Sequence, residues 1–371
     1  MEQIVEEDDF AWAARNEHWS AAKIGSRRYV AKRERRREPL ILCGHGVSLT
    51  VNKDTLLIRD GFTHWPQDRI EHRFFKGAQN LPPRIVMLDG SGSLSFEVIS
   101  WLARQNVPLI RADYRGEVVS VIGGSAFSTS PEQVLWQIET RNDPARRLDF
   151  CCELIVAKLQ SSLRTMAEVL PASRARDVAV ARAEAGIFAL SRRAVETVEQ
   201  VREIEMRAAA AYFTAWRGFG LRWRGRYKNP IPEEWLTIGP RQSGRSLAQP
   251  NRNAKHPVNA ILNYAYAMLR SYVHIETVAN GYDPRRGIFH HDRDDDDAFA
   301  FIFDLMEPGR ATADAAVLRF LSKAELKGSD FVIRSDGVCR LAPQLARHVC
   351  RVINTAGIRS LEIPPGLLPV A

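Results

Sequence analysis

The sequence predicts an α+β protein, a mainly β N-terminal domain followed by a larger all-α domain, and three observations predict it. Between Pro39 and Ile122 short runs rich in β-branched residues alternate with Gly, Asn and Asp, the grammar of strands and turns. Beyond Pro131 apolar residues recur at spacings of three and four, the period of helices that bury one face. The 371 residues, 45% hydrophobic and 26% charged, suffice for two or three domains with a substantial core. Disordered and collagen-like classes are excluded, and no apolar run nears the ~18 residues of a membrane-spanning helix.

Residues 1–38 read as an extension. Its acidic start, Met1 to Asp9, lacks the basic and apolar regions of a secretory signal, so cytoplasm is the expected location. Its end carries Arg27, Arg28, Lys32, Arg33, Arg35, Arg36 and Arg37, which suit either a solvated arm or one attracted to phosphates. Residues 39–127 form the β-rich domain, with strands expected at 40–43, 47–51, 56–58, 85–88, 107–110 and 118–122. One helix interrupts them, since Leu94, Val98, Trp101 and Leu102 make an apolar stripe. A domain boundary falls near 125–131.

Residues 131–355 form the helical domain, and 356–371 a C-terminal tail. Leu148, Cys152, Ile155, Val156 and Leu159 bury one face of its first clear helix, with Arg146, Arg147 and Lys158 among the polar positions. Further helices are expected around 177–216, 257–274, 311–324 and 341–355. Between two of them runs a long connection, 228–256, broken by prolines and glycines and carrying Arg241, Arg245, Arg252 and Lys255. Five cysteines without a C-x-x-C pair imply neither a disulfide framework nor a zinc ribbon, so buried free thiols are expected. The net charge of +8, with 52 Lys and Arg against 44 Asp and Glu, is compatible with a polyanionic partner.

Three segments could carry chemistry. Gly90-Ser91-Gly92 lies between a strand and a helix, but Ser95 takes the third glycine position of a dinucleotide-binding turn, so a structural turn is expected. On the segment Glu203 to Trp216, Glu205 shares its face with Ala208, Ala209, Tyr212, Phe213 and Trp216, whereas Glu203 pairs with Arg207 on a solvated face. A carboxylate on the core side needs a salt-bridge partner or a metal. The third segment places His290 after Gly287, an acidic run at Asp292 and Asp294 to Asp297, and then Asp304 and Glu307 three apart. Those two acids could be a capping box or could face one pocket together, and imidazole with carboxylates suits manganese or magnesium better than a softer metal.

Taken in order, the blocks Ile204 to Phe213, Pro257 to Leu269, Gly287-Ile288-Phe289-His290 and Phe303-Asp304-Leu305-Met306-Glu307-Pro308 resemble the signature blocks of one family. It is the CRISPR-associated endonuclease and integrase of spacer acquisition, the "Cas one" family. Gly44 to Leu49, Val107 to Ile110 and Asp336 to Leu341 resemble its flanking parts, so the likeness covers about residues 39 to 350. The resemblance implies a β domain before a helical catalytic domain, a homodimer, and metal-dependent phosphodiester transfer that joins 3' hydroxyl ends of DNA fragments to a repeat-bearing target. It implies that Glu205, His290 and Glu307 hold Mn2+ or Mg2+, with Asp304 as an auxiliary catalytic acid. It implies double-stranded and branched DNA as partner, together with the small "Cas two" adaptation protein. The phosphate track would be Arg222, Arg224, Arg226 and Lys228 with Arg241, Arg245, Arg252 and Lys255, positioning DNA without reading its sequence. The acidic run and the basic extension depart from the family pattern. A casposon-type transposase or a solitary family member would share the chemistry, and a non-catalytic DNA-binding scaffold is the reading of another class.

Overall fold

Strand β1 (Leu40–Cys43) shows why the N-terminal part folds where it does. Leu40 and Leu42 enter one apolar core while Ile41 and Cys43 enter another, so all four are buried. A strand covered on both faces reads as a continuous apolar run. The same division holds in β5 (Ile85–Leu88) and β7 (Leu109–Ala112), which pair in parallel to give the order β1-β5-β7, closed by antiparallel β8 (Val118–Ile122). The computed structural model describes residues 38–63, 69–113, 118–123, 130–225, 231–239, 254–290, 299–335, 337–355 and 367–368. The basic extension, the acidic run and most of the tail lie outside them.

The second sheet, in the order β4-β3-β2-β6, is formed by β2 (Val47–Asn52), β3 (Thr55–Arg59), β4 (Glu71–Phe74) and β6 (Gly92–Leu94). Helix α1 (Phe96–Gln105) covers it, burying Val98, Trp101 and Leu102. The expected strands are present, β7 two residues later than read. Strands β4 and β6 were not foreseen: β4 is Glu-His-Arg-Phe, an edge strand with one buried side chain, and Leu94, read into the helical stripe, instead ends β6 and is exposed.

The helical part comprises α2 (Pro131–Asn142), α3 (Pro144–Val169), α4 (Arg174–Ser191), α5 (Val198–Ala215), α6 (Pro257–Ala279), α7 (Ala300–Lys323) and α8 (Pro343–Thr355). Short pairs link them: β9 (Arg222–Trp223) with β10 (Glu325–Leu326), and β11 (Phe331–Ile333) with β12 (Cys339–Leu341). The expected single segment 177–216 is two helices, α4 ending at Ser191 and Thr197 capping α5 through its hydroxyl. Helix α7 begins eleven residues before the expected 311 and runs through Pro308. A proline normally ends a helix. Here burial around nearly the whole circumference of α7 holds it through the missing hydrogen bond.

A buried pair ties the two parts together. On α8 Arg347 meets Asp60, and Asp60 also accepts the Cys43 and Gly61 amides at 3.0 and 2.9 Å. Both members of the pair are 4% exposed. The five cysteines are free and buried, as expected.

Candidate metal centre

Four helices and one turn converge on Glu307. The turn Gly287–His290 precedes α7 and lies so close to it that a Cβ on Gly287 would stand 2.7 Å from that of Ala300. Its carbonyls are claimed from outside: Arg147 of α3 donates to Ile288 O at 3.0 Å and Arg202 of α5 to Phe289 O at 2.7 Å. Gln137 of α2 donates to the carbonyls of Asp283 and Arg286 just upstream. Its amides are claimed by Asp304, whose carboxylate accepts from Ile288, Phe289 and His290 at 2.6, 3.1 and 3.0 Å.

Asp304 is thus a mid-helix residue with no solvent exposure, and the capping-box reading of Asp304 and Glu307 is overturned: α7 starts at Ala300 after Phe299. Its remaining partner is His290 Nδ1, 2.6 Å from Oδ1. A carboxylate there holds the proton on Nδ1 and leaves Nε2 with its lone pair, the arrangement common for a metal-binding histidine. Nε2 faces Glu307 Oε1 at 3.8 Å. Of the expected acids, Asp304 therefore orients the histidine, while Glu307, one helical turn on, faces the centre.

Glu205 reaches the same place from α5. Its neighbour Ile204 and Leu159 of α3 both press on Gly186 of α4, where a Cβ would lie 2.9 Å from each side chain. That close approach brings α3, α4 and α5 together. Glu205 is part-buried, and Glu203 forms the expected exposed pair with Arg207 at 3.0 Å.

Sequence reading did not find the centre's cations. Lys158 of α3 places Nζ 2.5 Å from Glu205 Oε1 and 2.6 Å from Glu307 Oε2. Arg310, one turn beyond Glu307, donates from Nε to Glu307 Oε1 at 3.0 Å, with its guanidinium over the Tyr266 ring. Tyr266 and Tyr212 both donate to the buried Asp314, a turn further along. Burial pushes the Glu307 carboxyl up, but Arg310, Lys158 and His290 together outweigh it and hold it well below the usual carboxylate range. Burial likewise opposes the Lys158 ammonium, and Glu307 and Glu205 reverse it to a net rise. The signal for Lys158 was its place beside Leu159 on the buried stripe; for Arg310 it was the three-residue spacing from Glu307.

The donors fit a hard divalent ion. Two carboxylates already converge on one cationic nitrogen, and an oriented imidazole nitrogen lies beside them. Glu307 Oε2 touches Lys158 but accepts no well-directed hydrogen bond. A metal ion makes no such angular demand. Among the described residues no three His, Cys, Asp or Glu side chains close around a common point, and Lys158 stands between the two glutamates.

Of the expected DNA contacts, Arg222, Arg224 and Lys255 are exposed, and Arg222 donates to Ser322 O at 2.9 Å. Arg226, Lys228, Arg241, Arg245 and Arg252 lie outside the described residues.

A two-part α+β chain with a carboxylate–imidazole cluster between its helices defines the class. The family model "CRISPR associated protein Cas1" matches residues 83–354, and the chain belongs to that family. It is 27% identical over 278 residues to a CRISPR-associated endonuclease Cas1 of Archaeoglobus fulgidus, covering 71% of this chain and 74% of the relative. A Cas4/Cas1 exonuclease–endonuclease fusion of Geobacter sulfurreducens is 44% identical over 91 residues, which span 24% of this chain and only 16% of the fusion. Among solved structures, a casposase bound to integration product superposes with a TM-score of 0.69 at 21% identity, over 86% of this chain and 82% of the casposase. Among the described residues no helix is long and apolar enough to cross a membrane.

Proposed function

We propose that the chain is a divalent-metal-dependent DNA endonuclease and integrase of CRISPR adaptation, with its reaction centre at Glu205, His290 and Glu307. The observation that carries this reading is the convergence of Glu205 and Glu307 on one cationic position beside an imidazole whose proton Asp304 holds on Nδ1. Family membership and the endonuclease names of its relatives support it.

Bound Mn2+ or Mg2+ would supply positive charge against the phosphate oxygens that gain charge during transfer. The protein's own groups do the rest. Glu205 and Glu307 supply anionic oxygen ligands, and His290 supplies Nε2. Asp304 bonds Nδ1 and so orients Nε2 toward the centre, and, by bonding three amides, fixes the turn that carries it. Arg310, stacked on Tyr266, keeps Glu307 ionised and aimed. No side-chain nucleophile is needed: a 3' hydroxyl of an incoming DNA end gives strand transfer, and water gives cleavage. Exposed Arg222, Arg224 and Lys255 serve as backbone contacts. A homodimer acting with the small Cas two protein on double-stranded and branched DNA is the assembly this reading entails.

The test incubates labelled branched and linear duplexes with wild type and with Glu205→Ala, His290→Ala and Glu307→Ala, with and without Mn2+. Metal-dependent cleavage or strand transfer that all three substitutions remove is expected. DNA binding with no activity that they remove would favour a non-catalytic scaffold.

A further inference from the structure

Lys158 makes no contribution to the mechanism above, yet it occupies the most consequential position in the centre. Its Nζ is the atom on which Glu205 and Glu307 converge, and its side chain is 15% exposed. It comes from α3, which contributes none of the proposed ligands. With Arg310 it balances the two glutamates, two positive charges against two negative.

A divalent ion entering beside both cations would set four positive charges against the three carboxylates of Glu205, Glu307 and Asp304 in a partly buried space. One cation has to leave, and the geometry decides which. Arg310 is a rigid planar group under which the Tyr266 ring is packed, and Tyr266 is itself tied to Asp314. Lys158 is a compact charge on a flexible four-carbon stem, and its contacts at the centre are the two carboxylates.

We propose that Lys158 is a tethered counter-ion: it holds Glu205 and Glu307 together before metal binds and is displaced by the metal, so that it sets the metal affinity of the centre. The inference rests on the reading of Glu205, His290 and Glu307 as a metal centre. Lys158 is a positioning residue in this scheme, holding the ligand carboxylates in place against their mutual repulsion. Without it the carboxylates have no competing cation, and metal should bind more tightly.

The experiment titrates Mn2+ into the full-length protein by calorimetry, for wild type, Lys158→Met, Lys158→Gln and Glu307→Ala, and follows Tm in chelator and in Mn2+. Loss of a competing, partly buried charge predicts at least about tenfold tighter Mn2+ binding in the Lys158 variants. It also predicts a lower Tm in chelator that Mn2+ restores. Lys158→Gln keeps a polar chain of similar reach should the Met variant fail to fold. Mn2+ binding equal to or weaker than wild type in a folded Lys158 variant, with Glu307→Ala abolishing it, would overturn the proposal and leave the metal centre standing. Binding that Glu307→Ala leaves unchanged would remove the metal centre and the proposal together.

Discussion

Two buried clusters of charge in this molecule look alike by composition and differ in how their atoms are satisfied. At the domain junction Asp60 and Arg347 are each 4% exposed, and both oxygens of Asp60 are engaged, by two amides and by Arg347. At the centre two glutamates share one ammonium, and Glu307 Oε2 meets it without a proper hydrogen bond. Burial and opposite charge therefore do not separate a structural ion pair from a reactive site. The bonding of the carboxylate oxygens does: both oxygens of Asp60 are engaged, although Arg347 Nε has no partner, whereas Glu307 Oε2 has ligand capacity to spare.

The comparison breaks if both clusters respond alike to substitution. The largest effect is expected from Glu307→Ala, which should lower metal-dependent activity on branched DNA by at least about 10³-fold, or ~4 kcal/mol of barrier. Next, Arg347→Met leaves Asp60 buried without its cation and should cost about 3–5 kcal/mol in urea unfolding. Its activity per folded molecule should match wild type. Equal loss of activity in both variants would dissolve the distinction.

A third, half-buried group sharpens it. Burial and Arg270 push the His274 imidazole down from 6.5 to about 4, and its Nδ1 has no hydrogen-bond partner. Between those pH values the unfolded chain binds a proton that the folded chain resists. The stability His274 contributes is thus complete above pH 6.5 and is lost as pH falls toward 4, by up to about 3 kcal/mol. His274→Gln should flatten that part of the Tm–pH profile. The smallest effect is at the orienting residue: Asp304→Asn keeps the shape but loses acceptor capacity for three amides and the imidazole. It should weaken Mn2+ binding by roughly 10–100-fold in calorimetry.

How much of this was legible in the sequence follows from the range of each interaction. The core strands were, because burial on two faces makes Leu40 to Cys43 and Ile85 to Leu88 continuous apolar runs. Edge strand β4 was not, since three of its four residues are polar and their pairing is tertiary. The inward face of Glu205 followed from helical spacing. The role of Asp304 did not, because only the fold brings the amides of the preceding turn to its carboxylate. Lys158 was read among the polar positions on α3 although it follows buried Leu154 and Ile155 by four and three residues, and its partner Glu205 lies 47 residues on. The start of α7 was placed eleven residues late, since the burial that carries the helix through Pro308 is also tertiary.

The central claim is that Glu205, His290 and Glu307 hold a divalent ion where Lys158 now stands. A crystal soaked in Mn2+ and measured at an anomalous wavelength tests it most directly. The account predicts a peak bonded to Glu205, Glu307 and His290 Nε2, with Lys158 Nζ turned away from both carboxylates. Full soaking with no peak there, and Lys158 still bridging the two glutamates, would contradict it.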